Sequence, residues 1–186
     1  MKTRKILKVT AVIVLLLIGG SSMAQKSKMV GGAEMYPTKN IVVNAVNSKD
    51  HTTLIAAVKA AGLIETLQSD GPFTVFAPTN TAFDKLPEGT VETLVKPENK
   101  AKLTAILTYH VVAGKVDSKS LMKMIKDGKG EATLTTVQGG KLIAKLKGDS
   151  VIIIDENGNT STVTIADVYQ SNGVIHVVDT VVLPQS

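Results

Sequence analysis

The spacing of apolar residues changes character near the middle of the chain. In the first half, apolar residues recur at the three- and four-residue spacing of amphipathic helices, most clearly over 54–61 and 103–107. From residue 131 onward, short apolar runs alternate with turns that contain Gly or Asn. Because helices come first and strands follow, this pattern predicts an α+β fold rather than an alternating parallel fold.

The strand pattern occurs about seven times along the chain. Two strands lie in the helical half, where residues 73–77 alternate up to a proline and residues 109–112 follow a helix directly. β-Branched residues and turn signals predict the others at 132–137, 141–146, 151–154, 162–168 and 174–183.

The last of these strands is the most apolar part of the domain. Residues 172–184 read NGVIHVVDTVVLP, a turn, a β-branched run and a terminating proline. Successive side chains point to opposite faces of a strand, and here both faces are mostly apolar. We therefore expect a central strand covered on both sides. His176 lies among valines, which predicts a hydrogen-bonded interior histidine with a structural role.

Polar residues at the junctions have modest predicted roles. Thr79 or Asn80 follows the strand at 73–77, and capping of the next helix explains both residues. Residues 50–53 are expected to cap the helix at 54–61 in the same way. His110 is either a core histidine bonded to the backbone or a direct binding residue, and Tyr109 is either a buried ring or an interface anchor.

The amino terminus has the composition of an export signal. Basic residues precede an apolar stretch at 9–18 and a small-residue exit, which predicts a signal peptide at 1–24 that is too short to span a bilayer. Residues 25–39 are predicted to be a flexible leader, and residues 40–184 a single domain. Since no membrane tail follows residue 184, we expect a protein free in the periplasm or outside the cell.

Removal of the signal leaves the chain nearly neutral. The formal charge of +5 includes four basic residues of the signal, so the mature chain has 17 basic and 16 acidic residues. No arginine remains, and aromatic residues are few, which excludes the usual footprint of a nucleic-acid binder. Disulfides, thiol chemistry and a lipoprotein anchor are excluded because cysteine is absent.

Enzyme motifs are missing from the sequence. It has no serine elbow, zinc helix or phosphate-binding glycine loop, so we predict no enzyme activity, no metal and no cofactor. The histidines at 51, 110 and 176 lack metal-ligand spacing. Residues 155–159, DENGN, resemble part of a calcium loop, but a hairpin turn explains them better because no glutamate closes the loop.

Three segments together resemble the conserved motifs of fasciclin domains. They read FTVFAPTNTAF at 73–83, ILTYHVVAGKV at 106–116 and NGVIHVVDTVVLP at 172–184, and their order and spacing also match that family. Residues 52–63 resemble the helix before the first motif, so the similarity covers essentially the whole mature domain.

The resemblance implies a wedge-shaped β-sandwich with helices along one side, used in secreted proteins for adhesion. Implied partners are matrix proteins, cell-surface proteins or polysaccharides, with a weak homo-oligomer as one means of gaining avidity. The family's adhesion positions correspond to Tyr109, His110, Asp167 and Val168, although Val168 stands where integrin-binding members have isoleucine. The resemblance also permits a second function, the binding of a lipid or carotenoid between helices and sheet; a hydrolase is the least favoured alternative.

Overall fold

The computed structural model describes residues 26–185, so the predicted signal peptide lies outside the described residues. The helices are α1 (Ile41–Ala45), α2 (Thr52–Ala61), α3 (Ile64–Gln68), α4 (Asn80–Phe83), α5 (Thr90–Leu94), α6 (Lys100–Tyr109) and α7 (Ser118–Asp127), with 3-10 turns at Lys49–His51 and Pro97–Asn99. The strands are β1 (Lys28–Val30), β2 (Ala33–Met35), β3 (Phe73–Pro78), β4 (Val111–Ala113), β5 (Glu131–Thr135), β6 (Lys141–Lys147), β7 (Ser150–Ile154), β8 (Thr160–Gln170) and β9 (Gly173–Val178).

Seven strands form one curled sheet in the order β4-β3-β9-β8-β7-β6-β5. The β3–β9 pair is parallel, and the other pairs in this sheet are antiparallel. A bridge between Val112 and Thr136 brings the two ends of the sheet together, so the sandwich takes the form of a nearly closed barrel. The predicted α+β class, with about seven strands and helices along one side, is confirmed.

Strand β9 lies in the centre of this sheet, and all six of its residues are buried. Ile175 and Val177 face the helices, whereas Val178 faces the barrel interior. The predicted strand continued to residue 183, but the ladder ends at Val178. The Asp179 carboxylate then accepts the Thr162 N–H at 2.7 Å, a donor that a neighbouring strand would otherwise use.

Two apolar clusters share the sheet between them. Helices α2 and α6 contribute Leu54, Val58, Leu103 and other residues to the cluster on the outer face of β3 and β9. The barrel interior contains the second cluster, and α7 adds Leu121, which is 1% exposed, and Ile125, which is 2% exposed. Strand β9 contributes side chains to both clusters, so each one stabilises the other through the same backbone.

The segment expected to be a flexible leader forms a hairpin instead. Strands β1 and β2 pair across a Gly31-Gly32 turn, and the Lys49 N–H donates to the Gly31 carbonyl at 3.0 Å. Val30 and Met35 are 2% and 1% exposed, which ties the hairpin to the core. The prediction failed because two isolated apolar residues in a polar segment carry no periodic signal.

Helix α6 also extends further than predicted. Tyr109 is its last residue and His110 its C-cap, so the expected strand at 109–112 begins only at Val111. The two motif residues therefore point as helix residues do, and their side chains do not alternate across a strand.

Asn172 connects three parts of the fold that are distant in sequence. Its side-chain oxygen accepts the Ile41 N–H of α1 at 3.0 Å, and its amide donates to the carbonyls of Leu67 and Ser69 at 2.8 and 2.9 Å. Its own carbonyl accepts the Phe73 N–H at 3.0 Å. Because the residue is only 6% exposed, water cannot fully replace these bonds.

We expect Asn172→Ala to lower the free energy of unfolding by about 2–4 kcal/mol, since the buried Ile41 N–H and two part-buried carbonyls would lose their partner. Urea denaturation followed by circular dichroism measures this change. Asn47→Ala is the matched control, because Asn47 is exposed and donates one hydrogen bond within its own helical turn. Equal effects of the two substitutions would contradict the role assigned to Asn172.

Candidate functional site

Tyr109 lies in the barrel interior, where its side chain is 0% exposed. Its hydroxyl donates to the Lys141 carbonyl at 2.7 Å and accepts the Glu156 N–H at 3.1 Å. Burial raises the pKa of this phenol to about 12, so the hydroxyl keeps its proton. Tyr109 thus connects the end of α6 to β6 and to the β7–β8 turn.

His110 is 2% exposed and has both ring nitrogens bonded to backbone. Nδ1 donates to the Ile106 carbonyl at 2.8 Å, and Nε2 accepts the Val182 N–H at 3.2 Å. These two bonds require the neutral ring with its proton on Nδ1. Burial lowers the pKa of His110 to about 4, which agrees with that state. Of the two interpretations that the sequence left open, the geometry supports the core histidine.

His176 belongs to the interior in the same manner. Nε2 lies 2.8 Å from the Val116 carbonyl, so this nitrogen donates and leaves Nδ1 to accept the Asp167 N–H at 3.4 Å. The ring stacks on Phe76 with centroids 5.6 Å apart. Burial lowers the pKa of His176, and the ring stays neutral.

Asp167 lies at an irregularity in β8 where the register shifts and the backbone becomes left-handed, with φ of 55°. Its carboxylate accepts the Ser118 N–H at 2.6 Å and the Ser118 hydroxyl, at the first residue of α7. A negative charge at a helix N-terminus is favourable, so Asp167 holds α7 against the sheet. Val168 is 0% exposed and packs in the cluster on the helical side.

Thr79 and Asn80 both cap helices, but not the same helix. The Thr79 hydroxyl accepts the Ala82 N–H at 3.3 Å in the first turn of α4, as predicted. The Asn80 side-chain oxygen accepts the Thr53 N–H at 3.0 Å, while its side-chain amide donates to the Lys49 carbonyl at 2.8 Å. Asn80 thus caps α2 from another element. The prediction that residues 50–53 cap α2 was wrong, because His51 makes no side-chain capping bond there.

The predicted site residues therefore do not form a surface patch. Tyr109, His110 and Val168 are buried, and the structure brings Asp167 together with His176 rather than with Tyr109 or His110. A carboxylate at a strained bulge has no sequence signal of its own. The polar side chains among these residues bond within the domain, and they hold helices and strands in position.

Residues 155–159 form the predicted hairpin turn between β7 and β8. The Asp155 carboxylate accepts the backbone N–H groups of Asn157 and Asn159 at 3.0 and 2.8 Å, and that of Leu183 at 3.0 Å. Within residues 26–185, no group of three or more acidic or histidine side chains is placed to hold a metal ion. The same part of the chain has no helix long and apolar enough to cross a bilayer.

An apolar cavity of about 60 Å³ lies between the helices and the sheet. Its walls come from α1, α2, α3 and α6 on one side and from β3 and β9 on the other. His51 lines this cavity and is 1% exposed; its Nδ1 bonds to the Ser48 hydroxyl at 2.9 Å. Its Nε2 makes no hydrogen bond to any residue between 26 and 185. Burial lowers the pKa of His51, and the nearby Ala77 backbone opposes this shift. The sequence did not mark His51 as a cavity residue.

The fold and the internally bonded motif residues define a class of protein, a rigid β-rich scaffold with a helical layer. A solved structure described as a FAS1 domain pair from the insect cell adhesion molecule fasciclin I shares this fold. The superposition has a TM-score of 0.70 over 78% of this chain and 51% of that chain, at 20% sequence identity. The chain belongs to the fasciclin domain family, whose sequence model matches residues 49–184.

Relatives of this chain occur in bacteria and animals. Protein sll1483 of Synechocystis is 47% identical over 164 residues, which are 86% of this chain and 82% of the relative. Immunogenic protein MPB70 of Mycobacterium bovis is 36% identical and covers 77% of this chain and 68% of its own length. Human periostin is 35% identical over 74% of this chain, but that similarity spans only 15% of periostin.

We expect Tyr109→Phe to destabilise the domain by about 1–2 kcal/mol, because the Lys141 carbonyl and the Glu156 N–H would both lose their partner. Tyr36→Phe is the matched control, since Tyr36 is 39% exposed and its hydroxyl bonds to the exposed Glu34. Thermal unfolding compares the two variants. A Tyr109→Phe protein as stable as wild type would contradict the internal role of this hydroxyl.

The histidines predict a loss of stability in mild acid. The pKa of His110 is about 4 in the folded state and 6.5 in the unfolded chain, so the unfolded state binds more protons between these values. Stability is therefore full above pH 6.5 and falls as the pH decreases toward 4, by at most about 3 kcal/mol from this residue. His51 and His176 act in the same direction, since burial lowers both pKa values.

Urea titrations at a series of pH values test this expectation. His110→Gln should lose less stability than wild type between pH 6.5 and 4, because the substituted residue does not titrate. Carboxylates such as Asp117, whose pKa is lowered by hydrogen bonds from Ser120, change stability only below their ordinary values near 4. Identical pH profiles for wild type and variant would refute the assignment.

Proposed function

We propose that this protein is an exported adhesion module that acts by surface contact with a matrix or cell-surface component and catalyses no reaction. Membership of the fasciclin family carries the proposal. A solved relative is described as part of an insect cell adhesion molecule, and a Mycobacterium bovis relative, 32% identical over 77% of this chain, is a cell surface glycolipoprotein. Export rests on the composition of residues 1–24.

The burial of the motif residues supports this proposal. A catalytic residue must reach a substrate, but Tyr109, His110 and His176 are buried and have backbone partners. Burial also keeps the two histidines neutral, so they offer no charged group to a ligand. Contact with a partner then falls to exposed side chains on the outside of the rigid domain.

Tyr109 and His110 were predicted to contact the partner directly, but their burial leaves them only an indirect effect on adhesion. In this conformation neither side chain can touch a partner, so their effect on binding would arise through the position of α6 and β4. Asp167 acts in the same way through α7, because its carboxylate is bonded to Ser118. Substitution of these residues would change attachment by changing the fold.

The apolar cavity favours a second candidate function, the binding of a small apolar ligand. Its volume of about 60 Å³ sets an upper limit on the size of the ligand. An engineered cavity of roughly 150 Å³ admits benzene, so this one holds only a few heavy atoms. A lipid or carotenoid would require α1, α2 and α3 to separate from β3 and β9, with loss of buried apolar contacts. We therefore place adhesion first.

We expect the mature domain to attach saturably to native extracellular material or intact cells of the source organism. Labelled protein over a concentration series measures this attachment, with heat-unfolded protein as the control for non-specific adsorption. Absence of saturable attachment to either preparation would contradict adhesion. Tyr109→Phe should attach as wild type does, provided that its circular dichroism spectrum is native. Lost attachment by a folded Tyr109→Phe protein would instead show that this motif contacts the partner.

A further inference from the structure

Charge is distributed unevenly over the domain. Residues 115–147 contain eight lysines and three acidic residues, whereas the rest of the described chain contains nine lysines and 13 acidic residues. The near-neutral total therefore hides a segment of formal charge +5 beside a remainder of −4. Charges of one sign that gather on one surface raise the local concentration of oppositely charged ligands.

Most of the basic segment belongs to two elements that pack against each other. Helix α7 packs against β5 and β6, which pair with each other as an antiparallel hairpin. Leu121 and Ile125 of the helix share a cluster with Leu134 and Leu142 of the hairpin. Lys141, Lys145 and Lys147 alternate with Leu142 along β6, so they lie on the hairpin face opposite the one that α7 covers. The lysines of α7 therefore form a separate row.

Most of these lysines are exposed and free of ion pairs. Lys145 pairs with Glu131 at 2.9 Å and Lys123 with Asp127 at 2.5 Å, while the Lys115 ammonium lies 4.7 Å from the centre of the Tyr169 ring. The remaining lysines make no salt bridge to any residue between 26 and 185; they are Lys119, Lys126, Lys129, Lys141 and Lys147. Their positive charge is available to a ligand.

Three lysines form a row along the outer side of α7. Lys119, Lys123 and Lys126 are spaced four and three residues apart, which places them on one helical face, away from buried Leu121 and Ile125. At a rise of 1.5 Å per residue the row is about 10 Å long. Lys129 follows the end of the helix. Cations in a row on a convex ridge suit a chain with repeated negative groups.

We propose that this lysine face, which consists of Lys119, Lys123 and Lys126 of α7 and Lys129 beyond its end, binds a linear anionic polysaccharide through its carboxylate or sulfate groups. The proposal rests on the adhesion function and specifies the partner's chemistry. Affinity then comes from several weak charge contacts along one polymer chain.

Two other polyanions fit the face less well. An anionic membrane would favour several apolar anchors on the same side as the lysines, but the exposed Met122 and Met124 point about 160° apart around α7. Nucleic acid binding commonly adds arginine contacts or aromatic stacking, and the mature sequence has no arginine. The 115–147 segment contains no aromatic residue. Sugar polymers with regular charge need neither feature.

The test measures binding of the mature domain to polygalacturonate and to dextran sulfate, with uncharged dextran as the ligand control. We expect the triple variant Lys119→Gln, Lys123→Gln and Lys126→Gln to bind about tenfold more weakly at low salt, because three exposed charge contacts are lost. The matched protein control is Lys59→Gln, Lys96→Gln and Lys102→Gln, which removes equal charge from exposed sites outside the face. That control should bind within about twofold of wild type.

Four results with the purified ligands would overturn the proposal. They are equal weakening by both triple variants, binding that does not decrease with added salt, no binding to either polyanion, and tighter binding to phosphatidylglycerol vesicles or to an oligonucleotide than to the polysaccharides. If the lysine-face variant still attaches to native extracellular material as wild type does, this inference fails while adhesion stands. If neither protein attaches, the adhesion function itself fails.

Discussion

The burial of strand β9 on both faces is the constraint on which the rest of the structure depends. One face contributes Ile175 and Val177 to the cluster under the helices, and the other contributes Val178 to the barrel interior. Neither cluster can form without the strand, because the pleat sends alternate side chains to opposite sides. The parallel partner β3 and the antiparallel partner β8 are held in register by the same backbone. A shift by one residue would exchange the two faces and disrupt both clusters.

Polar side chains beside a strand that is buried on both sides must find their hydrogen-bond partners within the protein. His176 finds the Val116 carbonyl and the Asp167 N–H, and His110 finds the backbone at Ile106 and Val182. An unpaired buried polar group costs about 1–3 kcal/mol, so these bonds select one arrangement of the surrounding elements. The motif residues therefore hold the surrounding helices and strands in fixed positions. On the exterior, the lysines of α7 and Lys141 and Lys147 of β6 are exposed.

Sequence periodicity was reliable where many residues share one environment. The seven strands of the main sheet lie close to their predicted positions, because alternation and turn residues repeat over several positions. It failed where one or two residues carry the signal. Val30 and Met35 anchor the β1–β2 hairpin from a segment that reads as polar. Tyr109 belongs to a helix because α6 continues through a stretch that contains no proline or glycine.

By itself the sequence determined the fold class, the central strand, the neutral interior histidine at 176 and the absence of thiol chemistry. These follow from local pattern and residue type. Only the tertiary structure decided that Tyr109, His110 and Val168 are buried, that Asn80 and Asn172 bond to distant elements, and that α7 packs on the β5–β6 hairpin. Each of these depends on which segments become neighbours in space, and that outcome is set by burial of the whole chain rather than by any one of its segments.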